Sequence, residues 1–327
     1  MFVRWVDDDG VRECDPDELP GLLKGDGGWV WIDVPRMDDE ATDLLVATFA
    51  FHARAIRDCR ERNHVPKTHV YPDHVLIVLH APESGQAGHV HYLELDLLIG
   101  ARYLVTVHGP INPRVPFAAC LRETEETAVR LTSRRLKVDS PYALAYAVVT
   151  AVVRHQEQFV AGLAGEVGRL EQAVMAGVGE DPELFLERLY QARHGLLTVR
   201  TMTAQSQEVI GRILRLAGFL GDRDRLRLDD LLDQYRRVHH ITDEQLSFLQ
   251  GVTEYYRART DTKMTIAAER LAVIAALTLP ATAVSSILGM NVIANDSTHW
   301  WAFGVLVAAM LGMSLWLLRW ARRHGWW

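Results

Sequence analysis

Two runs near the carboxyl end, residues 271–290 and 300–318, contain no charged side chain, and this restricts the fold more tightly than any other feature. About 20 apolar residues in a helix rise roughly 30 Å, the thickness of a bilayer's hydrocarbon core. A soluble hairpin of that length would keep a polar face on each helix, and neither run has one. Both are therefore expected to be transmembrane helices joined by a short turn. A third apolar run, residues 142–153, is too short to cross and meets Arg154, so it reads as soluble core.

Charge sets the expected orientation. Arg257, Arg259, Lys263 and Arg270 precede the first run, Arg319, Arg322 and Arg323 follow the second, and residues 291–299 contain no Lys or Arg. Basic flanks stay on the cytoplasmic side, so both chain ends are expected there, with the protein in the plasma membrane and the turn outside. Trp300 and Trp301 on one side, and Trp316, Trp320, Trp326 and Trp327 on the other, match interfacial aromatic belts. Residues 1–9 hold Arg4 but no apolar region, so no signal peptide is expected. Cys14, Cys59 and Cys120 lie far apart, which fits a reducing compartment and argues against a cysteine-built metal site.

Before residue 260 the chain mixes charge and hydrophobe as a cytosolic protein does. Residues 28–34 and 74–80 are β-rich and alternate with helical or loop stretches, so an amino-terminal α/β domain is expected over 1–139. Residues 90–98 and 102–108 read as strands of a hairpin turned at Ile99-Gly100-Ala101, and residues 83–88 as a loop. Ser140-Pro141 starts a helix that lasts to Gly177 and Gly179, Asp181-Pro182 starts a second, and a third begins near Asp222 after the break at 218–221. Leu228, Leu231, Leu232, Tyr235, Val238, Leu246, Leu249 and Val252 recur largely at helical spacing with no breaker before the membrane. Over 226–290 an unbroken helix would be about 95 Å long. The expected architecture is thus an α+β cytosolic domain, a helical stalk over 140–270 packed against copies of itself, and a membrane domain over 271–327.

Two spans in one chain cannot enclose a water-filled path, so transport requires several subunits. On the first span Thr265, Ala268, Ala272, Ala275, Leu279, Thr282, Ser286 and Met290 fall three or four residues apart, a stripe suited to line a narrow pore. Small residues serve close helix contact equally well, and the hydroxyls of Thr282 and Ser286 also suit bonding to the carbonyl one turn earlier. Pro280 is tolerated in a membrane helix and bends it. Gly289 permits a tight helix exit, after which Asn291 sets an amide oxygen at the bilayer surface. Repeated around an axis, that oxygen becomes a neutral ring able to hold Mg²⁺, which surrenders its waters reluctantly, through its hydration shell.

Gly289-Met290-Asn291 at the end of the first of two carboxyl-terminal spans resembles the signature of the CorA family of divalent-cation transporters. Trp31-Ile32-Asp33-Val34-Pro35, the run from Asp58 through Pro66-Lys67 to residues 73–79, and residues 103–108 resemble the family's amino-terminal domain, so the likeness covers nearly the whole chain. The resemblance implies a CorA-like homopentameric funnel that takes up Mg²⁺ passively under gating, with Co²⁺ or Ni²⁺ as lesser substrates. It places Asn291 in the outer ion ring shaped by Gly289 and Met290, Leu279 and Thr282 on the pore lining, and Leu271 at a cytosolic constriction. It further implies regulatory Mg²⁺ between subunits, held by carboxylates that here are Asp58, Asp230 and Asp233. The last two share a helix face, whereas Arg57 stands where the family often has a carboxylate before Asp58. The turn after Asn291 lacks the family's common Met-Pro-Glu pattern, and Asp296 is expected to supply the acidic attraction. No organic cofactor is implied.

The ZntB-type branch moves Zn²⁺ on the same architecture and is the alternative reading, with or without proton coupling. Zinc prefers nitrogen and sulfur ligands, and the stripe contains neither His nor Cys, which favours Mg²⁺; His299 is the dissent. His89 and His91 share a strand face and His239 and His240 adjoin on the long helix, but neither pair has a visible third ligand, so both read as surface histidines. A reading of another class is a membrane-anchored sensor, although an anchor needs neither a small-residue face nor a defined Gly-Met-Asn exit. An enzyme is not expected: no nucleophile motif, Gly-rich phosphate loop or His-Glu-x-x-His sequence is present. A net charge of −7 disfavours nucleic acid and instead draws cations toward the cytosolic domain.

Overall fold

The structure, a computed structural model, describes residues 1–25, 27–176, 181–289 and 300–323. The chain divides into two compact units, Met1–Val252 and Thr253–Trp327. The first is built on seven strands: β1 Phe2–Asp7, β2 Gly10–Cys14, β3 Gly28–Val34, β4 Lys67–Val70, β5 His74–Ser84, β6 Val90–Gly100 and β7 Tyr103–His108. They form one sheet in the order β2-β1-β3-β7-β6-β5-β4. The β3–β7 pair is parallel and the other neighbours are antiparallel.

Strand alternation sends β3 to two cores. Val30, Ile32 and Val34 join a cluster with Leu19 of α1 (Leu19–Lys24), Leu45 of α2 (Asp39–Phe49), and Ala55 and Cys59 of α3 (Ala53–Arg60). On the opposite face the Trp31 indole N–H donates to Thr106 Oγ1 at 3.1 Å, and Thr106 Oγ1 donates to Asp33 at 2.6 Å. His108 Nε2 lies 3.0 Å from Asp33, and Thr124 of α4 (Phe117–Thr132) lies 3.2 Å from the same nitrogen. α5 (Pro141–Ala176) and α6 (Pro182–Leu216) also pack on the sheet. Helices on both faces explain why residues 75–79 are apolar without alternation: all five are buried.

Helix boundaries fall where the punctuation sets them. The Ala143 N–H donates to Ser140 Oγ at 3.1 Å, and the Glu183 N–H donates to the Asp181 carboxylate at 3.0 Å with Pro182 in the first turn. The third helix, α7, runs Asp222–Gly289 through 68 residues with Pro280 inside it. Two details differ from expectation. β6 continues to Gly100, so the hairpin turns at Ala101-Arg102, and Gly100 is required by the Tyr103 ring that covers it. β5 continues to Ser84, so only residues 85–88 of the expected 83–88 loop leave the strand, with a 3₁₀ turn over Gln86–Gly88.

In the second unit α7 continues from residue 253, and α8 spans Trp300–Arg323. A stretch of α7 within Asp222–Ser286 is long and apolar enough to cross a membrane, and α8 contains the shorter apolar stretch Val307–Leu317. Trp301, Trp316 and Trp320 of α8 are exposed, as are Leu311 and Leu315.

Candidate ion-conducting site

Within the second unit, α7 has a sheltered side and an open side. Val273 is buried and Leu277, Pro280 and Val284 are half-buried, a 4-3-4 spacing along one face. The expected pore stripe lies roughly opposite at 100° per residue. Thr265, Ala268, Leu271, Ala272, Ala275, Leu279, Thr282 and Ser286 are all exposed, Leu271 at 67% and Leu279 at 66%. Leucines left that open in water are costly, so this face is built to be covered by another chain or by lipid.

The hydroxyls on the helix are oriented by its own backbone. Thr265 Oγ1 donates to the Asp261 carbonyl at 3.0 Å, and Thr282 Oγ1 donates to the Thr278 carbonyl at 2.9 Å. A hydroxyl that has committed its proton inward offers only lone pairs outward. Such an oxygen accepts from the waters of a hydrated cation and repels nothing on it. Gly289 closes α7, whereas Met290, Asn291, Asp296 and His299 lie outside the described residues, as do Trp326 and Trp327.

The three carboxylates expected in regulation are held differently. Asp58, on α3, is buried: Lys67 Nζ lies 2.7 Å from Oδ1, and His69 Nε2 lies 3.1 Å from Oδ2. Burial, followed by the charge of Arg54, holds the His69 imidazole below its ordinary range. Asp58 thus already faces an ammonium, a poor start for a metal ligand. Asp230 is exposed, its Oδ2 accepting from Tyr146 Oη and Gln234 Nε2, each at 2.6 Å. Asp233 is exposed and pairs with Arg236 at 3.0 Å. Both are exposed, and a surface ion pair such as Asp233 with Arg236 is weak, so they are more open to a hard cation than the buried Asp58. Among the described residues no three His, Cys, Asp or Glu side chains converge on a metal position.

Sequence reasoning missed the partners that fix these groups. Lys67 and His69 sit two apart on β4 and so share a face, and Gln234 is four residues from Asp230; both spacings were visible, but the pairing partners across the fold were not. Of the histidines read as surface groups, His240 is exposed and faces Glu244 at 3.2 Å. His91 corrects the expectation: it is buried at 8% exposure, its ring set between Gly85, His89 and Asn112.

A family model for CorA-like Mg²⁺ transporter proteins matches residues 26–323. The chain belongs to the CorA family. Its members are transporters rather than enzymes, and this CorA-like protein is accordingly a membrane transporter of divalent metal cations. It is 21% identical over 299 residues to "Putative metal ion transporter YfjQ" of Bacillus subtilis (strain 168), a match covering 90% of this chain and 89% of that protein. Among solved structures it resembles the complete CorA magnesium transporter from Methanocaldococcus jannaschii, with a TM-score of 0.81 at 17% identity, covering 100% of this chain and 99% of the other. It also resembles the ZntB cytoplasmic domain from Vibrio parahaemolyticus RIMD 2210633, with a TM-score of 0.62 at 10% identity, covering 80% of this chain and 98% of the other. These likenesses establish the α+β domain, the long helices and the two-helix carboxyl end as the CorA fold.

Proposed function

We propose that the protein is a homopentamer in the plasma membrane, both termini cytoplasmic, that conducts Mg²⁺ passively along a pore lined by the exposed stripe of α7. The observation that carries this reading is the opposition of the two faces: a sheltered side at 273, 277, 280 and 284, and an uncharged small-residue side from Thr265 to Ser286 left open. Along that side Thr265 and Thr282 present acceptor oxygens only, the polarity that suits a hydrated cation. Gly289, Met290 and Asn291 form the outer ring in this reading, with Asp296 adding attraction, and Leu271 narrows the inner end. Co²⁺ and Ni²⁺ are lesser cargo in this reading.

Regulation in this reading rests on Asp230 and Asp233, which take Mg²⁺ between subunits and close the pore when internal Mg²⁺ is plentiful; Asp58, pinned by Lys67, contributes less. The likeness to the ZntB domain supports Zn²⁺ as an alternative cargo, but the stripe offers no nitrogen or sulfur ligand. The deciding experiment reconstitutes the full chain in liposomes with internal Mg²⁺- and Zn²⁺-sensitive dyes and competes the ions. Protein-dependent Mg²⁺ influx that excess Zn²⁺ fails to suppress is the expected result. Influx of Zn²⁺ alone would replace Mg²⁺ as the cargo, and absence of any flux would leave the spans as a sensor's anchor.

A further inference from the structure

The connection between β5 and β6 holds a cavity of about 590 Å³ lined by Ser84, Gly85, Gln86, His89, His91 and Arg114. In a chain of net charge −7, no Asp or Glu among the described residues lines it. Arg114 is exposed, and among the described residues its guanidinium is in no ion pair. The His89 ring stands edge-on to the His91 ring at 4.7 Å.

Hydrogen bonding fixes which nitrogen of His91 carries the proton. The main-chain N–H of Arg114 donates to Asn112 Oδ1 at 3.0 Å, which sets the orientation of that amide. Asn112 Nδ2 then faces His91 Nδ1 at 3.1 Å. An amide nitrogen only donates, so Nδ1 accepts and the neutral ring keeps its proton on Nε2. That nitrogen is on the Gly85 side: a Cβ built on Gly85 would lie 2.7 Å from it. His91 therefore offers an N–H toward the cavity and no lone pair for a metal. Burial lowers its pKa first; the charges of His89, Arg114 and Arg62 act in the same direction and that of Glu83 opposes them.

A fork of guanidinium donors beside a fixed imidazole N–H recognises an oxyanion with several acceptor oxygens. The volume falls in the range of pockets that enclose whole small molecules, and inorganic phosphate alone would fill little of it. We propose that this cavity binds a phosphate ester of nucleotide size, its phosphoryl oxygens taken by the Arg114 guanidinium and the His91 Nε2–H. Gly85 keeps the approach to that N–H open.

Titration calorimetry of the detergent-solubilised full chain in EDTA, with ADP and separately with inorganic phosphate, tests the site. ADP is expected to bind at about 1 mM or tighter, and phosphate more weakly. Arg114→Gln is expected to weaken ADP by about tenfold or more, the loss of a charged hydrogen-bonding partner. Gly85→Ala, which sets a methyl against Nε2, is expected to do the same. Arg114 is exposed, so its replacement serves even where Gly85→Ala lowers the melting midpoint. Absence of ADP binding, or binding unchanged in Arg114→Gln, overturns the site. Phosphate binding as tightly as ADP overturns the ester.

Discussion

His80 ties the stability of the first unit to pH. It is buried at 1% exposure, its Nε2 lies 2.8 Å from the Asn63 carbonyl, and burial drives its pKa down to about 4 against the bond to Asn63. The unfolded chain protonates this group near pH 6.5, so between there and pH 4 the unfolded state binds the extra proton and stability falls as pH falls. A shift of that size is worth roughly 3 kcal/mol once both states are protonated. His69 and His91 are lowered too and tilt the same limb. Asp33 is lowered as well: burial opposes the shift, but the bonds and charge of His108 and the hydroxyls of Thr106 and Thr124 outweigh it, so its contribution is lost only below pH 3.8. Melting midpoints measured from pH 7 to 4 are therefore expected to fall less steeply in His80→Gln than in the wild type. Parallel curves would show that His80 does not carry the limb. None of this was legible in the chain, because burial of a histidine depends on which strand face meets α5, where Gln156 Nε2 donates to the His80 carbonyl at 2.9 Å.

Element boundaries were legible wherever local chemistry sets them. Ser140-Pro141, Asp181-Pro182 and Asp222 mark helix starts because caps and proline act within one turn of the chain. The hairpin turn falls at Ala101-Arg102 rather than at residues 99–101, because Gly100 is not a turn glycine but is small to admit Tyr103. The same ambiguity holds for Gly195 inside α6, which a propensity argument treats as a weak point. There a Cβ would lie 2.8 Å from Leu163 Cδ1 of α5, so the absent side chain sets how closely the two helices approach. Gly195→Val forces them apart and is expected to cost about 1–3 kcal/mol, the range for an overpacked core, lowering the melting midpoint of the full chain. An unchanged midpoint would mean that the leucine simply moves aside.

At the scale of the whole molecule, the transport reading rests on a feature no single chain completes. Hydropathy made the α7 span visible because a span is a property of composition and length. The stripe on α7 followed from 3.6-residue periodicity, whereas the sheltered positions 273, 277, 280 and 284 across from it are seen only in the fold. How copies meet was not legible, since one sequence records no partner. If five stripes line one path, a change at its mouth acts on all subunits together and need not touch their packing. Asn291→Ala removes the amide oxygen from every position of the ring while Gly289 still ends α7. Reconstituted at equal amounts, that variant is expected to keep the oligomer's elution volume and to lose Mg²⁺ influx. Asp230→Ala is expected to leave influx intact and to raise the internal Mg²⁺ needed to stop it, because it acts on closure rather than on passage. Wild-type flux through Asn291→Ala would remove the outer ring from the mechanism, and loss of the oligomer in the same variant would assign the residue to assembly instead.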